Sequence, residues 1–141
     1  SGSMSIEDNK AVARKFFEEF TKGNLQSVAD LMHADHVFHF PLLPGPADKP
    51  GHIVGQAAVK VAFPDYSMVV LEQVAEGDMV FNRLHVTGTH QGEFMGRPGT
   101  GKTFEIATFN VMRIRDGQVA DEWDEFDTLD FLAQLGIVEK P

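Results

Sequence analysis

The segment covering residues 103–115 is the feature that most limits the folds open to this chain. It is rich in β-branched and aromatic residues, and the Asp116-Gly117 pair that follows is a strong hairpin-turn signal. Residues 119–126, after the turn, again have the composition of a strand. The chain is therefore predicted to contain a long antiparallel hairpin, and the fold has to place both of its strands in one sheet.

The loop before this hairpin, residues 96–103, matches the phosphate-binding pattern G-x-x-x-x-G-K-[ST]. A phosphate-binding loop is followed by a helix, whose N-terminus and backbone N–H groups face the phosphates. Here a strand pattern follows instead. The glycine-rich segment is therefore predicted to connect two antiparallel strands, and no nucleotide is expected as a partner.

Helical patterns come first in the chain and strand patterns follow. Ser5 and Asp8 form a capping box, helical spacing of apolar residues follows, and Gly23 ends the first helix. This order predicts an α+β fold with a mostly antiparallel sheet, in a single domain covering residues 4–141. Residues 1–3 look like the remnant of an expression tag. The remaining predicted elements are a short helix capped by Asn24 that buries Leu25 to Met32, helices at 56–63 and 129–135, strands at 36–40, 68–74, 79–87, 103–115 and 119–126, and an irregular segment at 42–51.

Composition excludes several classes of function. The 141 residues carry a net charge of −9, which argues against nucleic acid and against an anionic membrane surface. No apolar run approaches the roughly 20 residues of a membrane span. The absence of cysteine rules out thiolate metal sites and fits a cytoplasmic location. His33, His36 and His39 cross a helix-to-strand boundary at a spacing that would not converge, so no metal is expected.

Three stretches together resemble a known family. They are Phe-Pro-Asp at 63–65, Gly-Thr-His-Gln-Gly-Glu-Phe-Met-Gly-Arg-Pro-Gly-Thr-Gly-Lys at 88–102, and the segment from Asp116-Gly117 through Glu-Trp-Asp-Glu-Phe-Asp to Gly136. Nearly the whole chain is similar to the SnoaL-like polyketide cyclases, within the nuclear transport factor 2-like superfamily. The resemblance implies a cone-shaped fold, in which helices close a curved sheet around an apolar cavity, and a homodimer formed through the outer face of the sheet.

The hairpin admits two registers. Strand alternation and cross-strand pairing put two alternative sets of side chains on the inner face. A slip of one residue exchanges the sets, and the sequence leaves both open. One set is Glu122, Asp124 and Phe126 beside Ile106, Thr108 and Asn110; the other is Asp121, Trp123 and Glu125.

The resemblance favours Asp124 as the catalytic acid or base, because cyclase and epoxide-hydrolase branches carry an acidic residue on this last strand. A carboxylate in an apolar cavity is a suitable base, since desolvation raises its pKa. Arg83 and His85 lie two apart on one strand and so share a face. They fall where the epoxide-hydrolase branch has an Arg-x-Asp pair, so they are the other catalytic candidates, with Arg83 able to pair with Asp124.

Further side chains are candidates for binding the substrate. His39 falls where related enzymes place a polar cavity residue, and His90, in the family's loop, is expected to hold that loop at the cavity mouth. The aromatic residues are expected to form core or cavity wall. The complete set of substrate-binding candidates is His39, Asn110, Thr108, Glu122, Phe126, His90 and Trp123.

The resemblance implies a cofactor-independent enzyme that acts on a small, apolar, oxygenated substrate. Asp124 would remove a proton beside a carbonyl, the first step of aldol cyclisation and of isomerisation. One alternative is an epoxide hydrolase similar to limonene-epoxide hydrolase. Another is a non-catalytic small-molecule binder or dimerisation module.

Overall fold

The computed structural model describes residues 4–141, so the predicted tag remnant at residues 1–3 lies outside the described residues. Helix α1 (Ile6–Lys22) begins at the predicted capping box, in which Ser5 Oγ accepts from the Asp8 backbone N–H. It ends at Gly23, whose φ of 82° is the left-handed conformation that glycine adopts without strain. The apolar side of α1 is buried, and a short helix, α2 (Leu25–Asp30), follows it.

Helix α3 (Lys49–Ala62) begins seven residues before the predicted start at residue 56. The sequence-based prediction treated the prolines and glycines of 42–51 as helix breakers. Asp48 instead caps the helix by accepting from the Gly51 N–H at 2.9 Å. Pro50 lies in the first turn, where its missing N–H costs nothing. The breaker residues therefore form the start of the helix, and this earlier start brings His52 onto α3.

Six strands form one curved, mixed sheet in the order β2-β1-β6-β5-β4-β3. The first strand pairs with the last in parallel, and the other pairs are antiparallel. The first strand begins at Met32 rather than at the predicted residue 36, so Met32 belongs to the sheet and not to the second helix. The strands are β1 (Met32–His39), β2 (Ala47–Asp48), β3 (Ser67–Glu76), β4 (Met79–Thr89), β5 (Thr103–Arg115) and β6 (Gln118–Glu125); helix α4 (Thr128–Gln134) follows them.

Alternation along the central strands separates an inner face from an outer face. On β4 the even-numbered residues from Val80 to Gly88 are buried, and on β5 the even-numbered residues from Phe104 to Ile114 are buried. These residues meet the apolar side of α1, which supplies Phe16, Phe17 and Phe20 to the core. Side chains on the inner face are thus removed from water, while their strand neighbours remain partly exposed. None of the helices within residues 4–141 is long and apolar enough to cross a membrane.

The glycine-rich segment connects β4 to β5, as predicted, and a strand follows it where a phosphate-binding loop would have a helix. The backbone amides of the loop serve its own structure, because the His90 N–H donates to the Lys102 carbonyl and the Gly101 N–H to the His90 carbonyl, each at 2.8 Å. Gly99 lies so close to the Gln91 backbone that a Cβ there would overlap the Gln91 carbonyl. Close backbone approach therefore explains Gly99, whereas Gly96 and Gly101 adopt the left-handed conformation with φ of 75° and 77°.

Replacing Gly99 with alanine should destabilise the protein by about 1–3 kcal/mol, because the new methyl group can be accommodated only by moving backbone. The matched control is Gly45→Ala, in another loop, where a Cβ would meet nothing within 4 Å. Urea denaturation of both variants measures the difference. Equal stabilities for the two would contradict the close-packing explanation of the loop.

Candidate active site

A cavity of about 710 Å³ lies between the helices and the inner face of the sheet. Nine of the 12 phenylalanines line it, and residues 42–47 and 93–95 lie along its edge. A cavity of this size and apolar lining suits a small organic molecule, whose few polar groups must be matched by the few polar side chains of the wall. Three of those side chains, Thr108, Glu122 and Asp124, lie on the last two strands.

The hairpin adopts the first of the two predicted registers. Asn110 on β5 pairs with Asp124 on β6, and Met112 pairs with Glu122. Glu122 and Asp124 are consequently 2% and 6% exposed, and both line the cavity. Thr108 and Phe126 line it as well, as predicted. The alternative set, which includes Trp123, faces outward.

Asn110 connects the two buried carboxyl groups. Its Nδ2 donates to Glu122 Oε2 at 2.9 Å and to Asp124 Oδ1 at 2.7 Å. Its Oδ1 accepts from Asn82 Nδ2 at 3.0 Å, and Asn82 Oδ1 in turn accepts from Gln73 Nε2 at 2.8 Å. Both amide protons of Asn110 are therefore directed at the carboxyl groups.

The direction of this amide chain is fixed at its outer end. Arg14 Nη1 donates to Gln73 Oε1 at 2.7 Å, and a guanidinium can only donate. Gln73 must therefore present its oxygen to Arg14 and its nitrogen to Asn82, which orients each following amide in turn. The chain runs from the exposed edge of α1 to the cavity wall and leaves Asp124 Oδ2 without a hydrogen bond within residues 4–141.

The cavity changes the acidity of both carboxyl groups. Burial raises the pKa of Asp124 to about 7, with the Asn110 hydrogen bond opposing the rise and the Glu125 charge adding to it. Burial, and then the charge of Asp124, raise the pKa of Glu122 well above its ordinary value. Two carboxylates that share one amide resist ionising together. Near neutral pH the pair therefore holds at most one negative charge.

Tyr66 adds a hydroxyl group to the cavity, and sequence reasoning missed it. Burial and the charge of Asp124 both raise its pKa, so the phenol stays protonated. It makes no hydrogen bond through its hydroxyl within the described residues, and it lines the same cavity as Asp124. A proton donor is thus available near the carboxylate. The one sequence signal was its place directly after the Phe-Pro-Asp stretch.

Arg83 and His85 do not belong to this site, and the prediction that they join Asp124 is wrong. They share a face, as expected, but it is the outer face, because the inner positions of β4 are the even-numbered ones. Arg83 Nε pairs with Glu72 at 2.6 Å, and His85 Nε2 contacts Glu105 at 2.7 Å. Both side chains are partly exposed.

His39 and Trp123 are also on the outer face, so neither contacts the cavity. Their strands pair in parallel with His39 opposite Trp123, and the two rings stack with centroids 5.1 Å apart and planes 3° from parallel. Stacking across the strands accounts for both side chains. Their expected roles in substrate binding and in the cavity wall are therefore wrong.

His90 is fully buried, but it does not line the cavity. Its Nδ1 lies 3.1 Å from Thr100 Oγ1, and its backbone forms the two hydrogen bonds that hold the loop. The expectation that His90 holds the loop agrees with these contacts. The same contacts do not agree with its inclusion among the substrate-binding candidates.

Two histidines that sequence reasoning did not place in the site lie beside Glu122. His36 on β1 and His52 on α3 are joined by a 2.9 Å contact between His36 Nε2 and His52 Nδ1. Glu122 Oε1 is 3.9 Å and 3.8 Å from these nitrogens and has no hydrogen-bond partner. Burial lowers the pKa of both histidines and raises that of Glu122, so the contacts join neutral groups rather than an ion pair.

The sheet, the enclosing helices and the ionisable groups inside an apolar cavity define the class: an α+β protein in which buried carboxyl groups line an apolar cavity. Residues 11–135 match the family model of the SnoaL-like polyketide cyclases. The chain belongs to that family.

Individual relatives agree with this assignment. The chain is 28% identical over 131 residues to the aklanonic acid methyl ester cyclase DnrD of Streptomyces peucetius, covering 89% of this chain and 88% of the relative. Among solved structures, IdmH of Streptomyces antibioticus is 34% identical with a TM-score of 0.80, covering 91% of this chain and 98% of that one. AclR of Streptomyces galilaeus is 28% identical with a TM-score of 0.85, covering 95% and 99%.

The raised pKa of Asp124 predicts a particular dependence of stability on pH. Between about pH 4 and pH 7 the unfolded carboxyl group has lost its proton while the folded one retains it, so this group's contribution to stability falls as pH rises. Asp124→Asn removes the contribution. The variant should therefore gain stability relative to the wild type across this range, by on the order of a few kcal/mol.

Urea denaturation of both proteins at several pH values measures that difference. Asp65 and Asp130 have lowered pKa values, so their contributions to stability change with pH in the opposite direction. Comparing the two proteins at each pH cancels these contributions, because both proteins contain them. Asp121→Asn is the control, because Asp121 lies on the face of β6 that points away from the cavity. This variant should leave the wild-type pH dependence unchanged. A constant difference between Asp124→Asn and the wild type would show that Asp124 ionises normally.

Proposed function

We propose that this protein is a cofactor-independent enzyme in which Asp124 removes a proton from a carbon next to a carbonyl group. The observation that carries the proposal is a carboxyl group with a pKa raised to about 7, held in an apolar cavity by an oriented amide. A base with a pKa near the working pH combines a large ionised fraction with a useful driving force for proton transfer. Glu122 shares the cavity and the amide, but its second oxygen lies beside His36 and His52.

The reaction follows from the free oxygen of Asp124. Oδ2 takes the proton, and the electron pair of the C–H bond moves into the carbonyl group to form an enolate. Tyr66, held protonated, donates a hydrogen bond to the developing oxyanion and thereby stabilises it. In an aldol cyclisation the enolate carbon then attacks a second carbonyl of the same molecule. The proton on Asp124 passes to the new alkoxide, which regenerates the carboxylate.

Glu122 remains neutral during this cycle, because burial and the charge of Asp124 both oppose its ionisation. It therefore places no second charge beside Asp124. The Asn110 N–H stabilises the ionised form of Asp124 and limits the rise in pKa that burial causes. Burial and this hydrogen bond together bring the pKa of the base to about 7.

Aldol cyclisation of a polyketide is the reaction that the comparisons favour. The family model is that of polyketide cyclases, and DnrD is named for the cyclisation of aklanonic acid methyl ester. The phenylalanine-rich cavity suits an apolar substrate of that general kind. Epoxide hydrolysis is the weaker alternative, because His85 stands where that branch carries Asp, and both Arg83 and His85 lie on the outer face.

Proton abstraction can be measured without knowing the natural substrate. Aklanonic acid methyl ester incubated with the protein in D₂O should gain deuterium next to its carbonyl groups, or cyclise, and mass spectrometry detects both. Asp124→Asn should lower the rate by at least about 100-fold, the scale of a general base, while binding of the compound persists. Asp121→Asn is the control of equal charge change.

Binding without exchange or cyclisation in the wild type would favour the non-catalytic alternative, a small-molecule binder. Exchange at the wild-type rate in Asp124→Asn would assign the base to another residue. The first result would contradict the catalytic function, and the second would contradict only the assignment of Asp124 as the base.

We also propose a homodimer formed through the outer apolar patch, defined as Val69, Val74, Phe81 and Phe109. On the face opposite the cavity, Val74 on β3 pairs with Phe81 on β4, and the Phe81 ring contacts that of Phe109 on β5 with centroids 5.5 Å apart. Val69 on β3 lies on the same face, opposite His85. Val69, Val74 and Phe109 are 50%, 65% and 51% exposed, which is unusual for large apolar side chains on one sheet face. A second copy of the chain would remove them from water.

Phe109→Glu should convert the dimer to a 15.6 kDa monomer, because it places a charge within the outer apolar patch. Val54→Glu, on the exposed side of α3, is the control and should leave the dimer intact. Sedimentation velocity distinguishes the species. A wild-type protein that sediments only as a monomer would contradict the proposal.

A further inference from the structure

His36 and His52 form a hydrogen-bonded chain whose proton positions follow from its inner end. His36 Nδ1 lies 2.8 Å from the Val119 carbonyl oxygen. A carbonyl oxygen only accepts, so His36 Nδ1 carries the proton. In neutral His36 the other nitrogen, Nε2, is then a bare acceptor. It lies 2.9 Å from His52 Nδ1, which must therefore be the donor.

The same reasoning determines the protonation state of His52 Nε2, the last atom of the hydrogen-bonded chain. A neutral imidazole that carries its proton on Nδ1 has a bare Nε2. Burial lowers the pKa of His52 to about 3, so the ring is neutral at physiological pH. His52 Nε2 is consequently an unprotonated acceptor, and the Val119 carbonyl fixes this state through two rings.

His52 presents this acceptor to the cavity. The residue is one of those that line the cavity, and its Nε2 makes no hydrogen bond within residues 4–141. It is not sealed from solvent as His90 Nε2 is. The ring cannot turn freely, because it stacks on Phe38 with centroids 3.7 Å apart and planes 4° from parallel. Packing and the hydrogen-bond chain thus hold one lone pair in a defined direction.

The geometry favours this chain over a metal site made from the same residues. His36 Nε2, His52 Nδ1 and Glu122 Oε1 lie within 3.9 Å of one another, as the ligands of a divalent cation would. However, the two ring centroids are 5.1 Å apart, the nitrogens are 2.9 Å apart, and the ring planes differ by only 15°. The nitrogens therefore point at each other in nearly one plane, and a cation would require both rings to turn.

We propose that His52 Nε2 is a ligand-contacting acceptor that selects molecules carrying a hydroxyl group. The site thereby takes apolar ligands of the phenol or alcohol class, and His52 orients them for the base on the other wall. This inference rests on the proposed function only in placing the ligand in the same cavity as Asp124.

The tautomers can be read directly in the wild-type protein. Two-bond ¹⁵N–¹H correlation spectra of ¹⁵N-labelled protein should show both His36 and His52 with the proton on Nδ1 and a bare Nε2 at neutral pH. Addition of 2-naphthol should shift the His52 Nε2 resonance, and 2-methoxynaphthalene, which has no hydroxyl proton, should leave it in place. A proton on His52 Nε2 in the free protein would overturn the proposal.

Calorimetry on variants tests selectivity. The wild type should bind 2-naphthol about fivefold more tightly than 2-methoxynaphthalene, the value of one neutral hydrogen bond. His52→Phe should reduce the ratio to about one with little change for the methyl ether. Asp124→Asn should retain the ratio even though it abolishes proton abstraction, which separates failure of this inference from failure of the proposed function.

Two outcomes would contradict the assignment. Preference for 2-naphthol that persists in His52→Phe and disappears in Asp124→Asn would make Asp124 the acceptor. Stoichiometric Zn²⁺ binding by the wild type that is lost in His52→Phe would establish a metal site in place of the hydrogen-bond chain. If His52→Phe does not fold, the tautomer measurement on the wild type decides alone.

Discussion

The hydrogen bonds from Asn110 to Glu122 and Asp124 are the interaction on which the interior of this protein depends. Two carboxyl groups inside an apolar cavity cost several kcal/mol each if they ionise without partners. One amide, donating at 2.9 Å and 2.7 Å, satisfies an oxygen of each. Its orientation is fixed because Asn82 and Gln73 continue the chain outward to Arg14. The orientation of the amide that both carboxyl groups share is thus set from the surface of α1.

The rest of the fold serves to isolate that interaction. Helix α1 covers the inner face of the sheet with phenylalanines, and the lining of the cavity is continuous with the core. Low polarity around Asp124 is what raises its pKa, so packing and acidity are two aspects of one arrangement. The opposite face of the same strands carries Arg83, His85 and Trp123, whose partners are all on the surface. Strand alternation therefore divides the polar and aromatic side chains into a set that faces the cavity and a set on the outer face.

The sequence was sufficient to predict the fold and the acidic half of the site. The Asp116-Gly117 turn placed β5 opposite β6, alternation grouped Glu122 and Asp124 with Asn110 in one of two possible registers, and the family resemblance favoured that register. It was insufficient for β4, because a pattern with period two does not say which of its two faces is buried, and Arg83 and His85 were assigned inward on resemblance. The apolar residues Val80, Leu84 and Val86 in the even positions were the available signal.

His52 was missed for a different reason. Its position on the cavity wall depends on a helix that starts within a proline- and glycine-rich segment, and local composition argued against that start. Asp48 was the overlooked cap, and Pro50 in the first turn is compatible with a helix. The contact of His52 with His36 joins α3 to β1 across 16 residues of sequence. No local pattern encodes such a contact, so only the assembled structure shows it.

The two hydrogen-bond chains, one from Arg14 to Asp124 and one from the Val119 carbonyl to His52, share one physical principle. Each begins at a group that has a single hydrogen-bonding role: Arg14 only donates, and the Val119 carbonyl only accepts. Each passes that constraint through groups that have both roles, and each ends at the cavity. The first ends in donors that hold a carboxylate, and the second ends in a bare acceptor on His52. In the two proposals together, a ligand presents an acidic C–H to Asp124 and a hydroxyl to His52, so its orientation is decided before any bond is made.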